Sequence, residues 1–212
     1  MKCIIMGPQG SGKGTQAKLI AKEFGLDHIS IGDILRKEVA SGTDDGRLIE
    51  NYMAQGKLIP LELNNKIVKD AISGRENIIF DGYPRNLDQA NFLFDNFDIH
   101  LLIVLEISEA ESIRRISKRV ICSANNKNLI DGELFLKDIA ECEARGGRII
   151  RRDDDMPDAI SRRLKIYHEN TEPLIKLFED RKVPVFRISG ERGVDEIFSE
   201  IKKDIVHLFD KK

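Results

Sequence analysis

The chain has 212 residues, a length that suits one domain with small insertions and leaves ample apolar sequence for a core. Apolar side chains make up 41% and charged ones 33%, with a net charge of −2, a globular balance that gives no general field for nucleic acid or an anionic membrane. The longest apolar run, 101–105, is far too short to span a bilayer, and the first residues enter a strand pattern at once, so no signal peptide is expected.

The first strand is expected over Lys2–Met6. It leads into Gly7-Pro8-Gln9-Gly10-Ser11-Gly12-Lys13-Gly14-Thr15, and a helical pattern runs from 13 to 24. Strand, glycine loop and helix are the context of a phosphate cradle. The glycines turn the backbone tightly and aim several N–H groups at one anion. The helix start adds partial positive charge. Lys13 supplies a full charge at the β- and γ-phosphates, and Thr15 a hydroxyl near a magnesium ion.

Further strands are expected over Asp27–Ser30, 77–80, 100–105 and 184–188. Helical patterns lie near 32–41, 46–54, 61–72, 86–97, 108–120, 158–180 and 194–208, and Pro173 is placed to bend the longest of them. The alternation predicts right-handed βαβ crossovers and a doubly wound α/β sheet, with neither repeats nor a low-complexity tract. Two segments break it. Residues 30–59 insert helices, and residues 120–153 are polar without a clear period, which suits a lid over a site. Three cysteines without paired spacing suggest a reducing compartment, so the expected location is the cytoplasm.

Arginines fall near strand ends, helix starts and the lid: Arg36, Arg85, Arg115, Arg119, Arg152 and Arg163. Arg115 and Arg119, four apart, are expected on one helix face. In a doubly wound sheet the loops at the carboxyl ends of strands converge, so these guanidiniums can meet the glycine loop and fork onto phosphate oxygens. One cradle and several arginines suggest two phosphorylated ligands and phosphoryl transfer between them. Asp81, ending the run Ile78-Ile79-Phe80, is the candidate to hold magnesium through water. A phosphate acceptor is already largely ionised near neutral pH and needs no general base. His28, His100, His168 and His207 are therefore expected to be structural or solvated.

Four stretches carry a resemblance. They are the loop from Gly7 to Gln16, His28-Ile29-Ser30-Ile31-Gly32-Asp33, Asp81-Gly82-Tyr83-Pro84-Arg85, and Arg152 with Asp154-Asp155 ahead of Arg163-Leu164. In this order the chain resembles the adenylate kinases. The resemblance implies a three-layer P-loop fold around a five-stranded parallel sheet. It divides the chain into a core of 1–29, 60–117 and 156–212, an AMP-binding insertion of 30–59 and a lid of 118–155. It implies the reaction ATP + AMP ⇌ 2 ADP with Mg²⁺, carried by Lys13, Arg85, Arg119, Arg152, Asp154 and Arg163. By matching position, Gly10, Ser11, Gly12, Lys13, Gly14, Thr15, Arg119 and Arg192 take ATP. Ile31, Arg36, Lys57, Leu58, Ile59, Gly82, Tyr83, Pro84, Arg85, Gln89, Arg152 and Arg163 take AMP, with Gln89 facing the base. Thr15 and Asp81 take the metal. Neither nucleic acid nor membrane is an expected partner, and a monomer is the default.

Three positions depart from the family pattern. Gln9 replaces a usual proline, and Ile31 a hydroxyl-bearing residue beside the AMP base, which predicts a broader range of monophosphates. In the lid, Cys122, Asn125, Cys142 and Arg145 stand where many bacterial members hold structural zinc. Two thiolates, an amide and a cation are not a normal zinc set, so no structural zinc is expected. Cys122 and Cys142 are left as packed thiols or a disulfide. The nearest rival is a UMP/CMP-type kinase of the same fold. A GTPase-type switch fails on its base-reading motif, because Leu129 follows Asn126-Lys127-Asn128 where an aspartate is needed.

Overall fold

The computed structural model of the chain describes residues 1–124, 127–130, 136–152 and 155–210. The first half comprises β1 (Lys2–Met6), α1 (Lys13–Phe24), β2 (Asp27–Ser30), α2 (Ile31–Ala40), α3 (Asp44–Ala54), α4 (Leu61–Ile72), β3 (Ile78–Asp81) and α5 (Leu87–Asn96). The second half comprises β4 (Leu101–Glu106), α6 (Glu109–Ser117), β5 (Arg119–Cys122), β6 (Asn128–Ile130), α7 (Leu136–Ala144), β7 (Ile149–Ile150), α8 (Pro157–Ile166), a π-turn (Tyr167–Thr171), α9 (Leu174–Asp180), β8 (Val185–Ser189) and α10 (Val194–Phe209). Among the described residues, no helix is long and apolar enough to cross a membrane.

Five parallel strands form the main sheet in the order β2-β3-β1-β4-β8. Strand alternation divides the core into two layers. Ile4, Met6, Phe80, Leu102 and Val104 face α3, α4, α5 and α9 through Ile49, Val68, Leu93 and Phe178. Cys3, Ile5, Ile79, Leu101, Ile103 and Leu105 face α1 and α10 through Ala17, Ile20, Ile197 and Ile201. Both faces of the sheet are thus covered, which is why β4 reads as a continuous apolar run. Helix starts are set locally. Ser30, Thr43, Asn86 and Ser108 each accept a backbone N–H from the first turn of the helix they open. Phe92, Phe94 and Phe97, which the sequence leaves ambiguous, pack against the first layer, Phe94 with its ring 4.8 Å from that of Phe178.

The differences from expectation are local. β3, β4 and β8 each lie one residue later than the predicted runs. The helix expected to reach residue 120 stops at Ser117, because Arg119 pairs with Ile130 in a strand ladder instead. Arg115 and Arg119 are therefore not on one helix face. The long helix expected over 158–180 is interrupted. Pro173 lacks an N–H and crowds the preceding turn, and the backbone widens so that the Glu172 N–H reaches the Tyr167 carbonyl at 2.8 Å.

Residues 119–150, aperiodic in sequence, hold an antiparallel sheet of order β6-β5-β7 together with α7. Of the two arrangements left open for its cysteines, the structure has the disulfide: Cys122 on β5 is bonded to Cys142 on α7. In that bond the sulfurs are not thiolates, the form that ligates zinc. Arg145 pairs with Glu141 at 3.1 Å, and Asn125 lies outside the described residues.

Candidate active site

Strands added after β1 go to either side of it, so the loops at the carboxyl ends of β1, β3 and β4 open into one crevice. There lies a cleft of about 630 Å³. The phosphate loop forms its floor. Gly12, at the N-cap of α1, has φ +93°, a conformation open to glycine at no steric cost. Lys13 turns inward, its Nζ donating to the carbonyls of Gly7 and Pro8, both at 2.7 Å. Gly10, Gly12, Gly14 and Thr15 line the cleft, with Thr15 exposed at its surface. Ser11 differs from the other expected loop residues. It is buried beneath the loop, and its Oγ has no hydrogen-bond partner among the described residues.

The electrostatics of Lys13 report what surrounds it. Burial pushes its ammonium down to about 7. Asp81 opposes that shift, while Arg85, Arg163 and Arg119 add to it. Three guanidiniums, from β5, α8 and the loop after β3, are therefore within electrostatic reach of one nitrogen. Asp81 ends β3 against the start of α1, where a Cβ added to Gly14 would come within 3.2 Å of its Oδ2. The same Oδ2 lies 3.3 Å from His28 Nε2. His28 lines the cleft beside the metal candidate.

Gly82, Tyr83, Pro84 and Arg85 border the cleft, joined through a cis Tyr83–Pro84 bond. Tyr83 is buried, and that burial pushes its phenol pKa up. Arg85 is held at three points. Its Nε donates to the Gly82 carbonyl at 2.8 Å, its N–H to Gln89 Oε1 at 2.8 Å, and its own carbonyl accepts from Thr171 Oγ1 at 2.8 Å. Arg36 pairs with Asp33. Burial works to raise the Asp33 carboxyl, but the hydrogen bond and charge of Arg36 outweigh it, with help from Arg152, and hold it below its ordinary value. Arg152 also lines the cleft.

On the lid side, Asp155 binds two arginines with a carboxylate only 5% exposed. Arg119 Nε donates to Oδ2 at 2.7 Å, Arg119 Nη2 to Oδ1, and Arg163 Nη1 to Oδ1 at 3.3 Å. Asp154, the aspartate expected to act here, lies outside the described residues. Arg192 borders the cleft and pairs with Glu200. A smaller hollow of about 50 Å³ opens beside the main cleft, lined by Ile31, Arg36, Lys57, Leu58, Ile59, Arg85 and Gln89.

The placement of three residues was not legible in the sequence. His28 lies in a strand whose alternation does not say which face meets a cleft. Asp155 was masked by its acidic neighbours. Arg115 was misplaced onto a shared face with Arg119. It in fact struts the phosphate loop, donating to the carbonyls of Gly190 at 2.9 Å and Gly10 at 3.3 Å while Glu111 holds its Nε at 2.6 Å. A regular helix pattern cannot reveal a contact made through loop carbonyls.

A glycine-loop cradle, a carboxylate one strand over and guanidiniums on both walls define a P-loop phosphotransferase. A profile of the family described as Adenylate kinase matches residues 5–183. The adenylate kinase of Petrotoga mobilis is 37% identical, covering 100% of both chains. That of Pyrococcus furiosus is 37% identical over 95% of this chain and 94% of its own. That of a Thermoanaerobacter species is 38% identical over 96% and 97%. The chain belongs to the adenylate kinase family.

Proposed function

We propose that the cleft carries out reversible transfer of the γ-phosphoryl group of ATP to AMP, giving two ADP, with the donor on the phosphate loop and the acceptor beside the smaller hollow. The observation that carries this is the gathering of Lys13, Arg36, Arg85, Arg119, Arg152 and Arg163 around one cleft. A single nucleotide triphosphate does not need that much positive charge. Two nucleotides placed end to end do, because charge spreads over the transferring group and must be met by fixed cations.

The residue roles follow from position. The N–H groups of the loop from Gly10 to Thr15 and the Lys13 ammonium take the donor phosphates, with Arg119 and Arg192 on the donor side. Arg36 and Arg85 take the acceptor phosphate. Arg152 and Arg163 close on the transferring group, and Asp154 is proposed to act with them. Lys57, Leu58, Ile59, Tyr83, Pro84 and Gly82 frame the acceptor nucleoside. Parked on Gly7 and Pro8, Lys13 must swing from carbonyls to phosphate when ATP enters.

Magnesium fits this site. One carboxylate, Asp81, and one exposed hydroxyl, Thr15, border the phosphate loop, and magnesium is usually bound by one or two protein oxygens with phosphates and water completing its shell. When bound it neutralises charge on the phosphates. We assign no structural zinc to the lid, whose two cysteines are joined to each other. The insertion of 30–59 and the lid of 118–155 close over the nucleotides and keep water from the reactive phosphate. A monomer acting in the cytoplasm is kept as the expected setting, although the reducing-compartment argument for it is weakened by the Cys122–Cys142 disulfide. Neither nucleic acid nor membrane is a partner in this reading.

Ile31 is 3% exposed in the smaller hollow and carries no polar atom, so acceptors other than AMP meet a weaker penalty there. The test mixes ATP with each nucleoside monophosphate and counts the diphosphates formed. AMP should give two ADP per turnover, and at least one further monophosphate should be phosphorylated at a measurable rate. Ile31→Thr should narrow that range. Slow phosphate release with no diphosphate made from the acceptor would mean a switch, and preference for UMP or CMP over AMP would mean the rival kinase class.

A further inference from the structure

The smaller hollow contains a polar side chain that the phosphate chemistry does not use. Asn64, in the first turns of α4, is 3% exposed and lines this hollow together with Ile31, Met53, Ile59 and Gln89. Its Oδ1 is buried with no hydrogen-bond partner among the described residues. A buried amide oxygen without a donor destabilises the fold relative to a hydrocarbon of similar size. The cost is offset if a ligand brings the donor. Across the same hollow, Gln89 is 2% exposed, and its Oε1 already accepts the Arg85 N–H at 2.8 Å. That bond leaves the Gln89 Nε2 donor over, beside an Asn64 Oδ1 acceptor that has no donor of its own.

Resting on the reading of this hollow as the acceptor-base site, we infer that Asn64 is a specificity-determining residue that accepts a hydrogen bond from the exocyclic amine of the acceptor base. One donor and one acceptor match an edge carrying a ring nitrogen acceptor beside an amine. Adenine and cytosine have that edge. Guanine and uracil present a ring N–H beside a carbonyl, the opposite polarity, and leave both carboxamides mismatched. The broader range opened by Ile31 thus extends to CMP and stops short of GMP and UMP.

The experiment compares kcat/KM for AMP, CMP, GMP and UMP, and for purine riboside 5′-monophosphate, which is AMP without its amine. Wild type and Asn64→Leu are assayed with ATP as donor. Wild type should prefer AMP to the amine-free analogue by about tenfold, as for one lost hydrogen bond. Asn64→Leu should erase most of that difference through a higher KM for AMP, with kcat within about twofold and melting temperature unchanged or raised. Equal kcat/KM for AMP and the analogue in wild type overturns the inference without any variant. So does an Asn64→Leu enzyme that loses activity by the same factor on every acceptor. Failure of wild type to make ADP from AMP would instead sink the proposed reaction.

Discussion

Lys13 is the residue where structure and ligand disagree most. Its side chain is half-buried, and burial, with the charges of Arg85, Arg163 and Arg119 added and Asp81 opposing, pushes its pKa down to about 7 against an ordinary 10.5. Between those two values the unfolded chain holds a proton there that the folded chain does not. Its contribution therefore makes stability rise as pH climbs from about 7 towards 10.5, and its cost is constant below about 7. Nucleotide phosphates reverse the balance, because each brings negative charge to the ammonium. Binding ATP at pH 8 should take up about one proton per chain, read from calorimetry in buffers of different ionisation enthalpy, and Lys13→Met should abolish it. Lys13 and the loop glycines were legible in the sequence because the chemistry depends on a short local run. The depressed pKa of that lysine was not, since burial causes most of it and arginines 72, 106 and 150 positions away add to it.

At the scale of elements, the site depends on how helices and strands end. α6 stops at Ser117, so Arg119 enters β5 and meets Asp155, just before α8, which also pairs with Arg163 from the last turn of that helix. One nearly buried carboxylate thus fixes two guanidiniums from different elements, and Asp155→Asn would leave both without their counter-ion. That change should lower kcat by about a hundredfold through misplaced forks and stability by on the order of 3 kcal/mol. Steady-state rates with a thermal melt separate these effects. An unaltered kcat with only a lower melting temperature would make Asp155 a structural tie. The sequence showed the main strands and most helices well, because their apolar periods persist over several residues. It could not show β6 and β7, three and two residues long, or the π-turn, whose cause is one proline read through its neighbours.

On the scale of the whole molecule, the sheet order does the gathering. β1 sits between β3 and β4, which sets the phosphate loop next to Asp81 and brings arginines from α2, β5, α8 and the loop after β3 to its mouth. That convergence was foreseeable from a doubly wound pattern, and nearly every anticipated residue lines the main cleft or its smaller hollow. Which cation rests on which anion was not foreseeable. The pairs Arg36 with Asp33 and Arg119 with Asp155 each fix one guanidinium of the ring.

The central claim is that this one cleft holds two nucleotides end to end. The most direct measurement is inhibition by two adenosines joined through five phosphates, a ligand that spans both sites at once. It should bind one per chain, compete with both ATP and AMP, and bind far more tightly than either, with the affinity lost in Lys13→Met and Arg85→Met. Competition with ATP alone, leaving AMP binding untouched, would contradict the account.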